Sequence, residues 1–269
     1  MTSWKNMPVS IPRKSTPLEN KARPTISDYL VSAIIYGWLG FWSLLYFALI
    51  ALPFLGSLCL PKWPRRAMLR WIVLGWGIVA TRIGVWPFIR LTVTGVKPGS
   101  KPAIYVFNHR SGSDAFLVSA MKRPMIQMVN GWPMRLPLLG FVARQAGYLD
   151  TTASSYDEAQ QIIREHLKHG VSIISFPEGH RSGAKEMLPF QSGIFRIARE
   201  LRMEIYPGVI TGNEQNPTRH FRLQCGRIHF HLLPPIDVAT ICSFPSAFAL
   251  KQYVRKQMIQ ACAEHEVYP

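Results

Sequence analysis

The residues best suited to chemistry in this sequence are a histidine and a carboxylate five positions apart. His109 follows directly after an apolar run at residues 103–107, and Asp114 lies where a helix is expected to begin. A turn of this length can return the carboxylate to one imidazole nitrogen and so fix the tautomer of the ring. The second nitrogen is then able to take a proton from a hydroxyl group. The same spacing also fits an ordinary surface histidine beside a helix-capping aspartate.

A second group of reactive residues follows about 70 positions later, at residues 176–182. Glu178 and Gly179 form a turn after another apolar run, and Arg181 projects from this turn beside Ser182. An arginine in a glycine-containing turn suits a phosphate or another oxyanion. The alternative is a structural Glu–Arg pair in an ordinary turn. Because each group directly follows an apolar strand, we expect the two groups to share one site.

The pattern of apolar runs predicts the elements that hold these residues in place. Short strands alternate with helices, which is typical of an α/β fold with functional residues at the strand ends. We therefore predict an α/β fold with a mixed, mostly parallel sheet flanked by helices. Strands are predicted at residues 91–95, 103–107, 171–176, 205–210 and 227–233, and helices at residues 114–121, 156–169, 190–201 and 246–264.

Upstream of this pattern lies a stretch without charge, at residues 31–60. About 20 apolar residues cross the hydrocarbon core of a bilayer, so the stretch is long enough for one helix, which we expect Pro53 to end at residue 52. A buried core helix is the alternative. Basic residues flank the stretch on both sides, so the positive-inside rule does not orient it. We favour a re-entrant hairpin, with residues 71–89 and Arg82 in its second arm, over a full span.

These patterns divide the chain into three segments. Residues 1–27 are predicted to be a flexible basic leader, and residues 28–90 a membrane-associated helical module. Residues 91–269 are predicted to form the α/β domain. The apolar hairpin places both of its basic flanks on the cytoplasmic face of the membrane.

The composition indicates an anionic partner. The chain has 31 Lys and Arg residues against 15 Asp and Glu residues, a formal net charge of +16. A content of 48% hydrophobic residues, with 8 Trp, favours an anionic membrane surface over nucleic acid. The 4 cysteines form no C-x-x-C pair, which indicates reduced thiols in a cytosol-facing protein.

Metal chemistry and a serine nucleophile are not expected. His229 and His231 share one face of a strand, with Cys225 nearby, but no fourth zinc ligand is evident in the sequence. The sequence has no G-x-S-x-G motif, which argues against the nucleophile elbow of serine hydrolases. We therefore predict neither a metal site nor a cofactor.

The two reactive groups together resemble the motifs of a known family. Residues 108–114 read N-H-R-S-G-S-D and match the N-H-x4-D motif of the glycerolipid acyltransferases, the lysophosphatidic acid acyltransferase family. Residues 176–182 match the F-P-E-G-T-R-S motif of this family, with His180 in place of Thr. Residues 205–209 are similar to its fourth block, an apolar strand around a proline. The resemblance extends from about residue 90 to residue 212.

The resemblance implies a role for each residue of the two motifs. His109 is expected to be the general base, and Asp114 the residue that orients it. Six further residues are expected to contact the substrate: Asn108, Arg110, Glu178, Gly179, Arg181 and Ser182. The implied donor is acyl-CoA or acyl-carrier protein, and the implied acceptor is a lysophospholipid such as 1-acyl-glycerol-3-phosphate. The expected location is the cytoplasmic face of a membrane, which is the inner membrane in a bacterium.

One block departs from the family pattern. Thr151 stands where the family has an arginine associated with glycerol phosphate, and Arg144 is a candidate to replace that cation. Its loss removes a charge-assisted contact worth about 1.5–3 kcal/mol. Other acceptors therefore stay open: a different lysophospholipid, an amino-acid-linked lipid or a specialised lipid. A lipid or thioester hydrolase and a non-catalytic membrane-binding protein also remain as alternatives.

A largely apolar segment at residues 132–142 lies among basic residues. We expect this segment to lie on the membrane and to border the path of the acyl chain. A core segment with solvated cations is an equally good interpretation.

Overall fold

The computed structural model describes residues 25–135, 137–218 and 220–267. The predicted basic leader therefore lies almost entirely outside the described residues. Two long helices come first in the chain, and strands alternating with helices follow them.

The helices are α1 (Ile26–Leu58), α2 (Lys62–Ile78), α3 (Asp114–Leu117), α4 (Gly131–Met134), α5 (Pro137–Ala146), α6 (Tyr156–Lys168), α7 (Gly193–Glu200), α8 (Val238–Ser243) and α9 (Ala247–Glu264). The strands are β1 (Ile89–Gly95), β2 (Ile104–Phe107), β3 (Ile126–Val129), β4 (Leu149–Asp150), β5 (Ile173–Ser175), β6 (Ile205–Thr211) and β7 (Gly226–Leu232). A π-helical turn, Val79–Ile83, continues α2, and a 3₁₀ turn, Val118–Met121, continues α3.

The strands form one sheet in the order β1-β7-β6-β2-β5-β3-β4. Neighbouring strands are parallel except for β6 and β7, which pair antiparallel. The predicted mixed and mostly parallel sheet with flanking helices is therefore confirmed. Every residue of β2 and β6 is buried, which explains why these two strands read as apolar runs without alternation.

The core lies on both faces of the sheet. On one face, the side chains of α6, α7 and α9 pack against the central strands, with Ile163, Phe195 and Val254 fully buried. On the other face, the residues that follow β2 and part of α1 cover the sheet, and Ile35 of α1 is fully buried there. The first long helix is therefore joined to the α/β domain through the core as well as through the chain.

The first arm of the N-terminal hairpin is longer than expected. Pro53 lies inside α1, which continues to Leu58, so the prediction that Pro53 ends the helix was wrong. The fixed φ of proline is compatible with a helix, but an interior proline removes one backbone donor and crowds the carbonyl four residues earlier, at a cost of about 3 kcal/mol that other contacts must offset. Contacts beyond the proline hold the last turns in place, because Phe54 packs against a cluster formed by Leu69, Ile72 and Ala146, and Ser57 is fully buried.

The second arm begins earlier than expected, and it is amphipathic. The predicted arm at residues 71–89 was wrong, because α2 begins at Lys62, directly after Pro61, and Ile89 is already the first residue of β1. Arg82 donates from Nη1 to the Leu91 carbonyl at 3.0 Å. The arm is amphipathic, and one of its faces is buried in the protein.

The contacts between the two arms show that they run antiparallel. Tyr46 of α1 donates to the Ile72 carbonyl of α2 at 2.7 Å, and Trp76 of α2 donates from Nε1 to Ser43 at 3.3 Å. The buried face of α2 packs on α5 and on the 3₁₀ turn after α3. The second arm is therefore a wall between α1 and the α/β domain.

Most of α1 faces outward with apolar side chains. The helix has 33 residues, which corresponds to a length of about 50 Å, and it is long and apolar enough to cross a membrane. Leu44, Leu49 and Leu52 are more than two-thirds exposed. An exposed apolar face of this size marks a contact with a membrane or with another apolar surface.

Candidate active site

The two reactive groups lie at the carboxyl ends of neighbouring parallel strands. β2 ends at Phe107, directly before the first group, and β5 ends at Ser175, directly before the second. β6 pairs with β2 on its other side and ends at Thr211. Functional loops of α/β sheets meet at this edge, and here the loops after these three strands form one site.

His109 and Asp114 form the hydrogen bond that their spacing predicts. His109 Nδ1 lies 2.8 Å from Asp114 Oδ2. A carboxylate only accepts hydrogen bonds, so the proton of the neutral ring sits on Nδ1 and the lone pair on Nε2. The His109 side chain is 21% exposed and lines a cleft, whereas Asp114 is fully buried. The arrangement presents a proton acceptor to the cleft.

The Asp114 carboxylate is held by donors from two loops. The backbone N–H of Ser111 donates to Oδ2 at 2.8 Å. The Asn213 amide donates to Oδ1, and Asn213 is fully buried. The sequence analysis did not identify Asn213, although it follows β6 at the same edge of the sheet. A polar residue directly after a buried strand is the signal that could have found it.

Glu178 connects the two reactive groups. Its Oε1 accepts from the backbone N–H of His109 at 2.7 Å, and its Oε2 accepts from the backbone N–H of Leu188 at 2.9 Å. Burial raises the pKa of Glu178 to about 7, against the opposing effect of these two backbone donors. The carboxyl group therefore holds the backbone of the loop that carries His109 in place.

Backbone hydrogen bonds fix the second group against the first. Ser182 N–H donates to the His109 carbonyl at 2.7 Å. Gly179 has a φ of +76°, a region that favours glycine, and a side chain there would clash with Gln191. The Phe176 ring packs on the His109 imidazole, with ring centroids 4.8 Å apart. These contacts leave the imidazole little freedom to turn away from Asp114.

Like Glu178, the predicted substrate contacts Asn108 and Arg110 are engaged with the protein itself. The Asn108 side chain donates to the Ile210 carbonyl at 2.9 Å and accepts from the Ile210 N–H at 2.7 Å. The Arg110 guanidinium donates to both carboxylate oxygens of Glu266, at 2.8 and 3.0 Å, and to the Lys185 carbonyl at 3.0 Å. Both side chains are buried and brace the loop that carries His109.

The cleft at this edge has a volume of about 330 Å³. Its wall includes His109, Gly179, His180, Arg181 and Thr151. Among the described residues of this wall, Arg181 is the one with a permanent positive charge. The structure therefore brings Arg181 and the His109–Asp114 pair to the same cleft.

Thr151 also belongs to this wall, at the end of β4. Its hydroxyl donates to the Val129 carbonyl at 3.2 Å. Arg144, the candidate to replace the missing cation, donates to the Met134 carbonyl. The cation that the family places at this position is absent from the described wall of the cleft.

A smaller and largely apolar cavity of about 110 Å³ adjoins the cleft. The two spaces share Ala115, Gln127, Val129 and Pro133 in their walls. The cavity is otherwise lined by residues of α2, the segment after β2, and α5, among them Val73, Trp76, Phe116, Leu139 and Ala143. An apolar group that occupies the cavity therefore lies next to the cleft that His109 lines.

Comparison with known proteins gives the same family at several levels. The Acyltransferase family model matches residues 90–211. A 1-acyl-sn-glycerol-3-phosphate acyltransferase from Limnanthes alba is 26% identical over 193 residues, which are 61% of this chain and 68% of the relative. The enzyme of the same name from Haemophilus influenzae is 28% identical over 173 residues, 61% of this chain and 72% of the relative.

The fold is similar to that of a solved structure. The crystal structure of the 1-acyl-sn-glycerophosphate (LPA) acyltransferase PlsC from Thermotoga maritima superposes with a TM-score of 0.73 at 20% sequence identity. The similarity covers 90% of this chain and all of that one. The motifs, the matching family model and the curated relatives together show that the chain is an acyltransferase that resembles the lysophosphatidic acid acyltransferases, and the solved structure shows that the fold is shared.

Proposed function

We propose that the enzyme transfers a fatty acyl group from an acyl thioester to the hydroxyl of a lysophospholipid such as 1-acyl-glycerol-3-phosphate. The donor is acyl-CoA or acyl-carrier protein. The observation that carries the proposal is the His109–Asp114 pair, which opens onto a cleft next to an apolar cavity. A hydroxyl in the cleft and an acyl chain in the cavity then meet at the imidazole.

The chemistry is a direct transfer in one enzyme complex. His109 Nε2 takes the proton of the acceptor hydroxyl while the oxygen attacks the thioester carbonyl. The tetrahedral intermediate collapses, the C–S bond breaks, and the thiolate leaves with the proton that His109 carried. Asp114 stabilises the imidazolium that forms in between. No covalent bond to the enzyme is needed, because the acceptor hydroxyl is itself the nucleophile.

The other motif residues divide into those that position the base and those that meet the acceptor. We assign Asn108, Arg110, Glu178 and Ser182 to positioning, because their contacts are with the protein. Gly179 and Arg181 remain in the wall of the cleft, where Arg181 can form charge-assisted hydrogen bonds to a phosphate.

We also propose that the α1–α2 hairpin enters one leaflet of the membrane and does not cross it. Near the start of α1, Ser32 accepts from the Leu223 N–H at 3.0 Å, and Tyr36 donates to the Phe221 carbonyl at 2.6 Å. Near its end, Phe54 packs with α2. Both ends of α1 thus lie against protein. The stretch between Tyr36 and Phe54 is no longer than the roughly 20 residues that a span requires, so it leaves no length to spare for crossing the bilayer.

This placement puts the α/β domain, residues 91–269, on one side of the membrane. Acyl-CoA and acyl-carrier protein are donors of the cytosol, so we assign that side to the cytoplasmic face. The module at residues 28–90 supplies the apolar anchor, and the basic residues near the start of α2, Lys62, Arg65 and Arg66, supply attraction to anionic headgroups.

Replacing the proposed base gives the first prediction. In His109→Ala, acyl transfer from an acyl thioester to 1-acyl-glycerol-3-phosphate is expected to fall about 100–10,000-fold, which is the usual contribution of general base catalysis. His180→Ala removes the other imidazole of the cleft wall and is expected to cost much less. Transfer at the wild-type rate in His109→Ala contradicts the assignment. Thioester consumption without acceptor identifies a hydrolase instead.

The acceptor phosphate gives the second prediction. Arg181→Gln is expected to raise the KM for 1-acyl-glycerol-3-phosphate roughly 10–100-fold, the equivalent of a charge-assisted contact of about 1.5–3 kcal/mol. The KM for 1-acylglycerol, which has no phosphate, is expected to change little. Lys168→Gln removes an exposed cation of α6 and serves as the matched control. An equal effect of Arg181→Gln on both acceptors speaks for a structural role of this arginine.

The apolar cavity gives the third prediction. Val73→Phe on α2 and Ala143→Phe on α5 each place a larger side chain in the wall of the cavity and so reduce its volume. Activity with long-chain donors is therefore expected to fall relative to activity with short-chain donors. Each methylene that loses its apolar site costs about 0.8 kcal/mol, or roughly fourfold in kcat/KM. The measurement is a competition between thioesters of different chain length. Ala263→Phe, at an exposed position of α9, is the control, and an unchanged preference in both cavity variants places the acyl chain elsewhere.

The membrane anchor gives the fourth prediction. The triple variant Leu44→Glu, Leu49→Glu, Leu52→Glu is expected to lose binding to vesicles in a flotation assay, because burying each leucine contributes about 1.5–3 kcal/mol. Phe248→Glu adds one charge at an exposed apolar position of α9 and is expected to float like the wild type. Flotation of the triple variant at the wild-type level places the membrane contact outside α1.

A further inference from the structure

Three histidines meet on the part of the sheet formed by β1 and β7. His229 and His231 lie two positions apart on β7, and His265 is the residue at the C-terminal end of α9. One ring nitrogen from each lies within 4.8 Å of the others. The His231 and His265 rings are stacked with centroids 3.9 Å apart, and the His229 and His265 centroids are 4.9 Å apart. Residues distant in sequence thus converge on one point.

A hydroxyl orients two of these rings in advance. Thr94 Oγ1, on β1, lies 2.6 Å from His229 Nε2 and 2.8 Å from His231 Nδ1. Thr94 is paired with His231 in the parallel register of β1 and β7, so the backbone sets its position. A hydrogen bond to one ring nitrogen fixes the tautomer and the direction of the other nitrogen, as partners of metal-bound histidines do.

The surroundings suit a cation. α9 is 18 residues long, and the negative end of its dipole lies at the point where His265 begins. The three histidines are half-buried, so an ion between them is shielded in part but can be reached from solvent. Imidazole is a ligand that zinc, copper and nickel accept readily.

We infer that His229, His231 and His265 form a binding site for a divalent transition metal, with Zn²⁺ as its natural class of ion. In a tetrahedral site with Zn–N distances of about 2.0–2.1 Å, the ligand nitrogens lie about 3.3 Å from one another. Small side-chain rotations are enough to bring the three nitrogens, which lie within 4.8 Å of one another, to this spacing. Three histidines leave one of the four tetrahedral positions for a water molecule. From the sequence we predicted no metal site, because His229 and His231 alone do not form a complete set of ligands, and the structure adds His265 to them.

Cys225 does not belong to this set. It precedes the first residue of β7, and three residues of extended strand separate it from His229, a distance of about 10 Å or more. The ring of His265 reaches the two histidines because α9 ends beside β7, a contact that no local pattern in the sequence predicts. The structure thus replaces a distant thiol by a third imidazole.

The three histidines lie next to the contacts that hold the loop of His109 in place. The carbonyl of His265 accepts from the Thr211 hydroxyl at 2.6 Å, and the next residue, Glu266, is the partner of Arg110. A bound ion ties His265 to β7 and so holds the segment that carries Glu266. We therefore assign the ion a structural role, in stabilising the C-terminal segment against the loop of His109.

The test is zinc binding by the full chain in detergent micelles, after treatment with a chelator. In competition with a chromophoric chelator, the wild type is expected to bind one Zn²⁺ with a micromolar or lower Kd. His229→Ala and His265→Ala are expected to weaken binding at least 10-fold. His265→Gln is the substitute if the alanine variant does not fold. His220→Ala, at an exposed histidine, and Cys225→Ser are expected to bind like the wild type.

Thermal unfolding provides a second readout that does not depend on activity. Added Zn²⁺ is expected to raise the unfolding temperature of the wild type and of Cys225→Ser, but not that of His265→Ala, since an ion that binds only the folded state stabilises it. Equal zinc affinity in the wild type, His229→Ala and His265→Ala overturns the proposal. Loss of binding in Cys225→Ser with retention in His265→Ala overturns it as well.

Discussion

Two buried carboxylates at the carboxyl edge of the sheet determine how this site is built. Asp114 and Glu178 are 0% and 2% exposed, and a buried carboxylate without hydrogen-bond donors costs several kcal/mol. Their donors come from three loops, which follow β2, β5 and β6. Neither carboxylate is satisfied until these loops are together. The loops therefore come together as the protein folds, and the geometry of the site is set in the same step.

Hydrogen bonds within the protein also limit which charged side chains of the two motifs can bind another molecule. Both carboxylate oxygens of Glu178 accept hydrogen bonds from backbone N–H groups. The Arg110 guanidinium donates to Glu266 and to the Lys185 carbonyl. Both residues belong to conspicuous motifs, yet the protein already occupies their hydrogen-bonding groups. Among the described residues of the cleft wall, the permanent positive charge that remains available is that of Arg181. A motif residue can thus be indispensable for a site without touching what the site binds.

The sequence was sufficient for the parts of the fold that depend on local patterns. The buried strands β2, β5 and β6 appear as apolar runs, and α6 begins after Ser155, where a capping box with Glu158 satisfies its first N–H groups. The two-residue strand β4 and the strand β3 have too few residues for a periodic signal. The start of α2 was missed because its apolar residues face the protein on one side only. Asn213 and His265 reach their partners through contacts between distant segments, which periodicity does not encode.

The position of α2 connects the proposed anchor with the chemistry. α2 packs on α1 and also supplies Val73 and Trp76 to the apolar cavity beside the cleft, and Trp76 contacts both α1 and the cavity. Moving an acyl chain through water costs about 0.8 kcal/mol per methylene, which amounts to roughly 10 kcal/mol for a long chain. In the proposed function, an acyl chain that stays in contact with the apolar hairpin until it reaches the cavity avoids this cost. The contact between the hairpin and the α/β domain fits this proposal, because an anchor that projected away from the domain would leave the acyl chain to cross water.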